Sequence, residues 1–309
     1  MTSSRVKKLI KKHRFRHTLI HFIYSKTARY FKYRKQIQIK NWVKKNTEFI
    51  KKNKLPCFYF DSDNGFCDIG GVKFLYSSDL SAGLLGLEYK GVFEPAETNL
   101  VLSNLKENSV FFDIGANFGY YSLIVAKNVK GAKIHSFEPV KTTFNHLKKN
   151  IDINKFNRII KPNCLAVSDK EGEVRMTSYL YSGDHIVKYE STNKGLIPVK
   201  TITIDKYIEE NNISNIDFIK CDIEGAELLM LKGAVNSLRK FKPKLLLELN
   251  EQWTERLNYN PKEVIDLLKE LNYEYQIVGE DKKIHSSSGD LEKDLSIGNN
   301  LFFYSRSLS

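Results

Sequence analysis

The chain has 309 residues, 41% of them hydrophobic and 28% charged, which supports one sizeable α/β domain with an extension, or two small domains, and argues against a disordered chain. Its net charge of +13 is concentrated: residues 1–54 hold eighteen Lys and Arg against Glu48 alone, and the remaining 255 residues sum to −4. The four cysteines, Cys57, Cys67, Cys164 and Cys221, form no CxxC pair and have no histidine at zinc-ligand spacing, so neither a metal site nor a disulfide framework is indicated and a reducing compartment is expected.

Residues 5–54 repeat apolar side chains at helical spacing, as in Phe15, Leu19, Phe22 and Ile23, then Ile39, Trp42, Val43, Phe49 and Ile50. Residues 1–54 are therefore expected to form a basic extension of two or three amphipathic helices. Three readings of it stand side by side: it lies on an anionic membrane surface, it meets nucleic acid through Lys and Arg interleaved with Phe31, Tyr33 and Trp42, or it packs on the catalytic domain with a solvated basic face. No stretch reaches the roughly 20 apolar residues of a membrane span, and no signal-peptide cleavage site is evident. The chain is expected in the cytoplasm, with the inner membrane face as the surface the arm would touch.

Residues 55–87 read as a β-hairpin region, Cys57-Phe58-Tyr59-Phe60 and Val72-Lys73-Phe74-Leu75-Tyr76 joined across the turn signal Asp63-Asn64-Gly65. Glu94-Pro95-Ala96-Glu97 then opens a helical pattern running to Leu105. From Val110 onward short apolar runs alternate with helical patterns, which predicts an α/β domain with a doubly wound parallel sheet over residues 88–309. Strands are expected near 110–114, 132–138, 158–166, 216–222, 244–249, 273–278 and 300–305. Period-2 runs between 172 and 204 break the rhythm and read as an inserted hairpin, either a lid over the site or an inert extension.

The chemistry concentrates in Val110-Phe111-Phe112-Asp113-Ile114-Gly115-Ala116-Asn117-Phe118-Gly119-Tyr120, an apolar strand ending in a carboxylate and a glycine-rich turn. In a doubly wound sheet, ligands bind where the strand order reverses, so Gly115 and Gly119 would let backbone amides approach a ligand while Asp113 meets its ammonium or orders the loop. Glu138, ending Ile134-His135-Ser136-Phe137 before Pro139, stands where an acid accepts both hydroxyls of a ribose. Together these specify an adenosine-containing ligand. A nicotinamide dehydrogenase shares the architecture, but its GxGxxG turn is absent here, because Asn117 takes the middle glycine's place and would crowd a pyrophosphate.

These segments, with Lys220-Cys221-Asp222-Ile223-Glu224-Gly225-Ala226-Glu227 and Leu246-Leu247-Glu248, resemble the FkbM-type methyltransferases over roughly residues 88–278. The resemblance implies a seven-stranded, Rossmann-like methyltransferase sheet, S-adenosyl-L-methionine as donor, and O-methylation of a sugar, cell-surface glycan or other hydroxyl-bearing acceptor. Asp113, Gly115, Asn117, Gly119, Glu138, Pro139 and Asp222 are then the expected cofactor-binding residues. Cys221 departs from the small aliphatic residue more usual there.

Methylating a hydroxyl requires loss of its proton, which calls for a base or a metal ion within reach. The candidates are Asp222, Glu224, Glu248 and His185. For Glu227, one turn into the next helix, capping is the favoured role, and Glu248 suits a structural salt bridge as well as catalysis. Asp222, Glu248 and Asn250 offer oxygen ligands for a divalent ion, though nothing in the spacing demands one. Two other functions stay open: an RNA-binding methyltransferase using the arm, disfavoured because no NPPY-like tetrapeptide is found, and an inactive methyltransferase-like binding protein.

Overall fold

A computed structural model describes residues 57–61, 64–76, 94–177, 186–187 and 196–305. The helices expected in the basic arm, the Asp63 end of the expected turn, and His185 lie outside these residues.

Strands β1 (Cys57–Asp61), β2 (Asn64–Ile69) and β3 (Val72–Tyr76) form an antiparallel sheet in that order, where the sequence suggested a single hairpin. The missed strand, β2, starts at Asn64-Gly65, residues taken for a turn tip, and ends at Ile69, before the turn Gly70-Gly71. These two glycines have φ of 60° and 79°, and Ile69 pairs with Val72 across them. Two consecutive positive φ values make the tight turn whose twist suits a two-residue hairpin.

The large sheet begins with β4 (Val110–Ile114), β5 (Lys133–Phe137) and β6 (Ile160–Asn163), parallel and stepping outward. The chain then returns to the other side of β4 with β11 (Phe218–Cys221) and β12 (Lys244–Glu248), also parallel. Strand β15 (Asn300–Ser305) inserts antiparallel between β12 and β13 (Tyr273–Val278), and a short β14 (Ile284–Ser286) extends the β13 edge. The order β14-β13-β15-β12-β11-β4-β5-β6 contains all seven expected strands and adds β14, whose three residues are too few for a periodic signal. Residues 158–166 do not form one strand, because Ala166–Val167 (β7) leaves for a second sheet with β8 (Gly172–Thr177), β9 (Ile186–Val187) and β10 (Leu196–Ile202). There β8 and β10 pair antiparallel from Thr177 with Leu196 to Gly172 with Thr201, the antiparallel pairing that the period-2 runs indicated.

Helices cover both faces of the large sheet: α1 (Pro95–Ser103), α2 (Tyr120–Asn128) and α3 (Lys141–Asn154) on one, and α4 (Ile204–Glu210), α5 (Glu227–Lys232), α6 (Val235–Phe241) and α8 (Pro261–Glu270) on the other. Between β12 and α8 runs α7 (Glu251–Thr254), and α9 (Leu291–Ile297) precedes β15. Successive strand residues point to opposite faces. Phe112, Ile114, Ile219, Cys221, Leu245 and Leu247 fill the second core, whereas Phe111, Phe218, Leu246 and Phe302 fill the first. The same alternation puts Ser136, Asp113 and Lys220, hydrogen-bonding neighbours in register, on the α1–α3 face in a buried polar row. Just past the ends of β5 and β11 the same face receives Glu138 and Asp222, and Glu248 closes β12 two residues after Leu246.

The small β1–β3 sheet is held by α3. Asn154 accepts the Lys73 N–H at 2.9 Å and donates to the Lys73 carbonyl at 2.7 Å, while the fully buried Asn150 accepts the Leu75 N–H at 2.8 Å and donates to the Phe118 carbonyl at 2.8 Å. Two asparagine side chains thus satisfy backbone groups along the β3 edge, and one of them also ties the glycine-rich loop. Asn150→Ala leaves a buried N–H and a buried carbonyl unpaired, and we expect it to cost roughly 1–3 kcal/mol, seen as a lower urea midpoint at unchanged slope.

Candidate functional site

The strand order reverses between β4 and β11, and their carboxyl ends carry the motifs singled out in the sequence. After Ile114 the chain turns sharply: the Gly115 and Ala116 amides both donate to the Phe137 carbonyl, at 3.0 and 2.9 Å. Gly115 has φ of 78°, and a Cβ there would sit 1.9 Å from the Asp222 carbonyl oxygen. That contact, where two backbone segments pass at the crossover, demands glycine whatever ligand binds nearby. Gly119, with φ of 93°, caps α2, and Asn117 adopts φ of 50°.

Glu138 reaches back over this turn. Its Oε2 accepts the Asn117 N–H at 3.1 Å and its Oε1 accepts the Val140 N–H at 2.8 Å, with 7% of the residue exposed. One carboxylate therefore fixes the middle of the glycine-rich loop and the start of α3. Pro139, half-buried beside it, accepts a weak hydrogen bond from the Cys164 thiol at its carbonyl.

Asp113 does something different. Its Oδ2 accepts both the backbone N–H of Ser122, at 2.9 Å, and the Ser122 hydroxyl, which in turn lies 2.6 Å from the Ser136 hydroxyl. Oδ2 thus anchors the first turn of α2, while Oδ1 is buried and has no hydrogen-bond partner among the described residues. Burial pushes the Asp113 carboxyl above the usual carboxylate range, against the opposing pull of Lys220 and the two Ser122 hydrogen bonds. Ser122→Ala removes one of the two donors to a buried carboxylate and strands the Ser136 hydroxyl. We expect it to lower stability by about 1–3 kcal/mol in chemical unfolding.

Beside Asp113 in register stands Lys220, 6% exposed, its ammonium 2.9 Å from Asp222 Oδ2 and 5.1 Å from the centre of the Tyr121 ring. Tyr121 donates its hydroxyl to Glu94, which immediately precedes α1 in a left-handed conformation. Burial raises the Glu94 carboxyl, against the lowering influence of Lys220 and Tyr121. For Lys220 itself burial disfavours the charge, but Asp222, Glu94 and Asp113 outweigh it and hold the ammonium more firmly protonated than usual.

Strands β11 and β12 pair in register, Cys221 with Leu247, which sets Asp222 next to Glu248 at the neighbouring strand ends, and the two carboxyls separate in acidity. Burial works against ionising Asp222, yet Lys220 and the Glu248 hydrogen bond overcome it and hold its carboxyl below the usual range. Burial, then the adjacent Asp222 charge and hydrogen bond, push Glu248 up to about 9. Asn299 donates to Glu248 Oε1 at 2.8 Å, fixing it from the β15 side. A carboxylate and a carboxylic acid thus sit side by side at the carboxyl ends of β11 and β12, an arrangement suited to taking up or passing on a proton.

Of the remaining sequence candidates, Glu224 lies half-buried in the loop after β11 with φ of 54°. The fully buried Glu227 accepts the Ile223 and Gly225 amides at 3.1 and 3.2 Å, with the Tyr259 hydroxyl 3.3 Å from its other oxygen, and so holds the loop from within. Asn250 caps α7 by accepting the Gln252 amide at 3.0 Å, which occupies the oxygen it would have offered a cation. No group of three or more His, Cys, Asp or Glu suited to a metal ion occurs among the described residues. Sequence reasoning placed Glu94 only at a helix start and assigned no role in the site to Lys220, Tyr121, Ser122 or Ser136. The available signal was a lysine inside the otherwise apolar strand Phe218-Ile219-Lys220-Cys221, which in a sheet buried on both faces needs a buried partner.

A family profile described as the methyltransferase FkbM domain matches residues 113–275, from Asp113 through β13. The chain belongs to the FkbM methyltransferase family. Two curated relatives are similar in sequence. The hexuronic acid methyltransferase AglP of Haloferax volcanii is 28% identical over 180 residues, spanning 58% of this chain and 69% of AglP. The 31-O-demethyl-FK506 methyltransferase FkbM of Streptomyces tacrolimicus is 28% identical over 159 residues, or 42% of this chain and 60% of that enzyme. A crystal structure of methyltransferase FkbM from Methylobacillus flagellatus KT aligns with a TM-score of 0.43 and 19% identity, over 65% of this chain and 44% of that one. The profile ends before β15 and begins after α1, so this methyltransferase carries Glu94, Tyr121's partner, outside the matched region.

Proposed function

We propose that this methyltransferase moves a methyl group from S-adenosylmethionine to a hydroxyl oxygen of a sugar. The observation that carries the reading is the pairing of Asp222 with Glu248 beside the Glu138-anchored glycine loop: a proton-handling carboxyl pair and an adenosine-type cradle share one face of the sheet's carboxyl edge. The donor suits the residues present. Glu138 would hold the ribose hydroxyls. The buried, unpartnered Oδ1 of Asp113, with Asp222 and Glu94 nearby, makes the surroundings of the loop anionic, which favours a cofactor bearing ammonium and sulfonium charges over one bearing phosphates. Bound there, it supplies an electrophilic methyl whose transfer leaves a neutral thioether, so no acid is required.

The chain's own work is alignment and proton removal. The acceptor hydroxyl gives its proton to the Asp222–Glu248 pair, and Asn299 keeps Glu248 in place while it does so. A sugar acceptor is supported by the name of one relative, which acts on a hexuronic acid, and transfer to an oxygen by that of another, named for a 31-O-demethyl substrate. Calorimetric titration with S-adenosylhomocysteine tests the donor: we expect saturable binding, and no heat with it alongside tight binding of NAD would overturn the reading.

A further inference from the structure

Among the described residues Lys220 is a buried cation ringed by acids from several neighbouring elements. Asp222 comes from the end of its own strand and Asp113 from β4. Glu94 comes from the segment before α1, and Glu248 from β12 by way of Asp222. Tyr121 of α2 closes the ring, its face toward the ammonium and its hydroxyl on Glu94, and Glu97 of α1 adds a further charge near Glu94 and Tyr121. A lysine at this depth is costly unless its partners compensate, and its nearest contact is the 2.9 Å pair with Asp222. Asp222 keeps 30% of its side chain exposed whereas Lys220 keeps 8%, so the pair presents its anion outward and hides its cation.

We propose that Lys220 is a positioning residue that orients Asp222 and keeps it ionised, so that the one proton of the Asp222–Glu248 pair resides on Glu248. Without a cation beneath, two adjacent carboxyls would share their proton with no fixed direction, as like charges in contact do. With it, the negative charge is pinned at the strand end nearest β4, beside the glycine-rich loop, and the proton is held on Glu248, on the oxygen that does not accept from Asn299. This rests on the carboxyl pair being the proton acceptor of the reading above, but the lysine's effect on the pair is measurable without substrate or cofactor.

The test is a carbon-13 titration of Asp and Glu side-chain carboxyls in the full chain, assigned with Asp222→Asn and Glu248→Gln. In the unmodified chain Asp222 is expected to titrate below the ordinary range and Glu248 far above it. Lys220→Met should move Asp222 upward by about one to three pH units, and Lys220→Arg, which restores the charge, should return most of that shift. A merely structural lysine would leave the Asp222 titration in place in a folded Lys220→Met chain, and that result overturns the proposal. If Lys220→Met does not fold, the unmodified chain decides: Asp222 titrating within or above the ordinary range overturns it equally. S-adenosylhomocysteine calorimetry on the same variants reports on the donor reading separately, because the carboxyl shifts stand or fall without any ligand.

Discussion

Replacing Glu138 with alanine should weaken S-adenosylhomocysteine binding by roughly 2–4 kcal/mol, a loss of some thirtyfold to several hundredfold or more. Two losses add. One is the acceptor that the proposed function gives the ribose hydroxyls. The other is the anchor that holds the Asn117 and Val140 amides, at 3.1 and 2.8 Å, in the conformation the loop needs before any ligand arrives. Glu138→Gln separates them, since a glutamine oxygen still accepts one amide while the charge is gone, and it should fall between alanine and the unmodified chain. Calorimetry, with thermal unfolding to confirm that each variant is folded, reads both. An unchanged affinity in folded Glu138→Ala would remove Glu138 from the binding site.

Asp222→Asn should lower turnover by at least roughly a hundredfold while leaving cofactor affinity less affected. The amide has the same shape but cannot take a proton, and it leaves the Lys220 ammonium with only Glu94 and Asp113 to offset its burial. Glu248, relieved of its neighbour's charge, should then titrate lower than its present position near 9, because that charge and its hydrogen bond rank directly after burial in raising it. Near-normal turnover in single-turnover kinetics would take Asp222 off the catalytic list.

Much of this architecture is legible in the sequence because a parallel sheet buried on both faces writes itself as short apolar runs, and the carboxylate that ends a run marks the edge where ligands bind. Asp113, Glu138, Asp222 and Glu248 were all found that way, as acids after apolar strands. What one strand cannot show is its neighbour. That Lys220 lies beside Asp113 depends on β11 returning past β5 and β6 to pair with β4, a contact between residues 107 positions apart. The roles of the glycines divide for the same reason: Gly119 is legible as a helix start, whereas Gly115 is fixed by the Asp222 carbonyl, which arrives from a distant strand. Two strands left the weakest trace. Strand β2 was hidden by an Asn-Gly pair that begins a strand here instead of forming a turn, and β14 has only three residues.

Glu227 illustrates how an acid in the most specific motif can serve the scaffold. It lies in the same Asp222-to-Glu227 stretch as the carboxyl pair, yet its oxygens are spent on the Ile223 and Gly225 amides and the Tyr259 hydroxyl. Burial raises its carboxyl to about 7, and no part of it reaches solvent. The loop it stiffens is the one whose Asp222 carbonyl presses against Gly115, so the two loops at the crossover are braced from opposite sides.

The most direct measurement is methyl transfer from labelled S-adenosylmethionine by the full chain, with cell-envelope glycans, nucleotide sugars and RNA offered in parallel. We expect label on a glycan or nucleotide-sugar oxygen, stable as an ether to mild base and lost in Asp222→Asn. Label in RNA with none in the sugars, or no transfer from a chain that fails to bind S-adenosylhomocysteine, would contradict it.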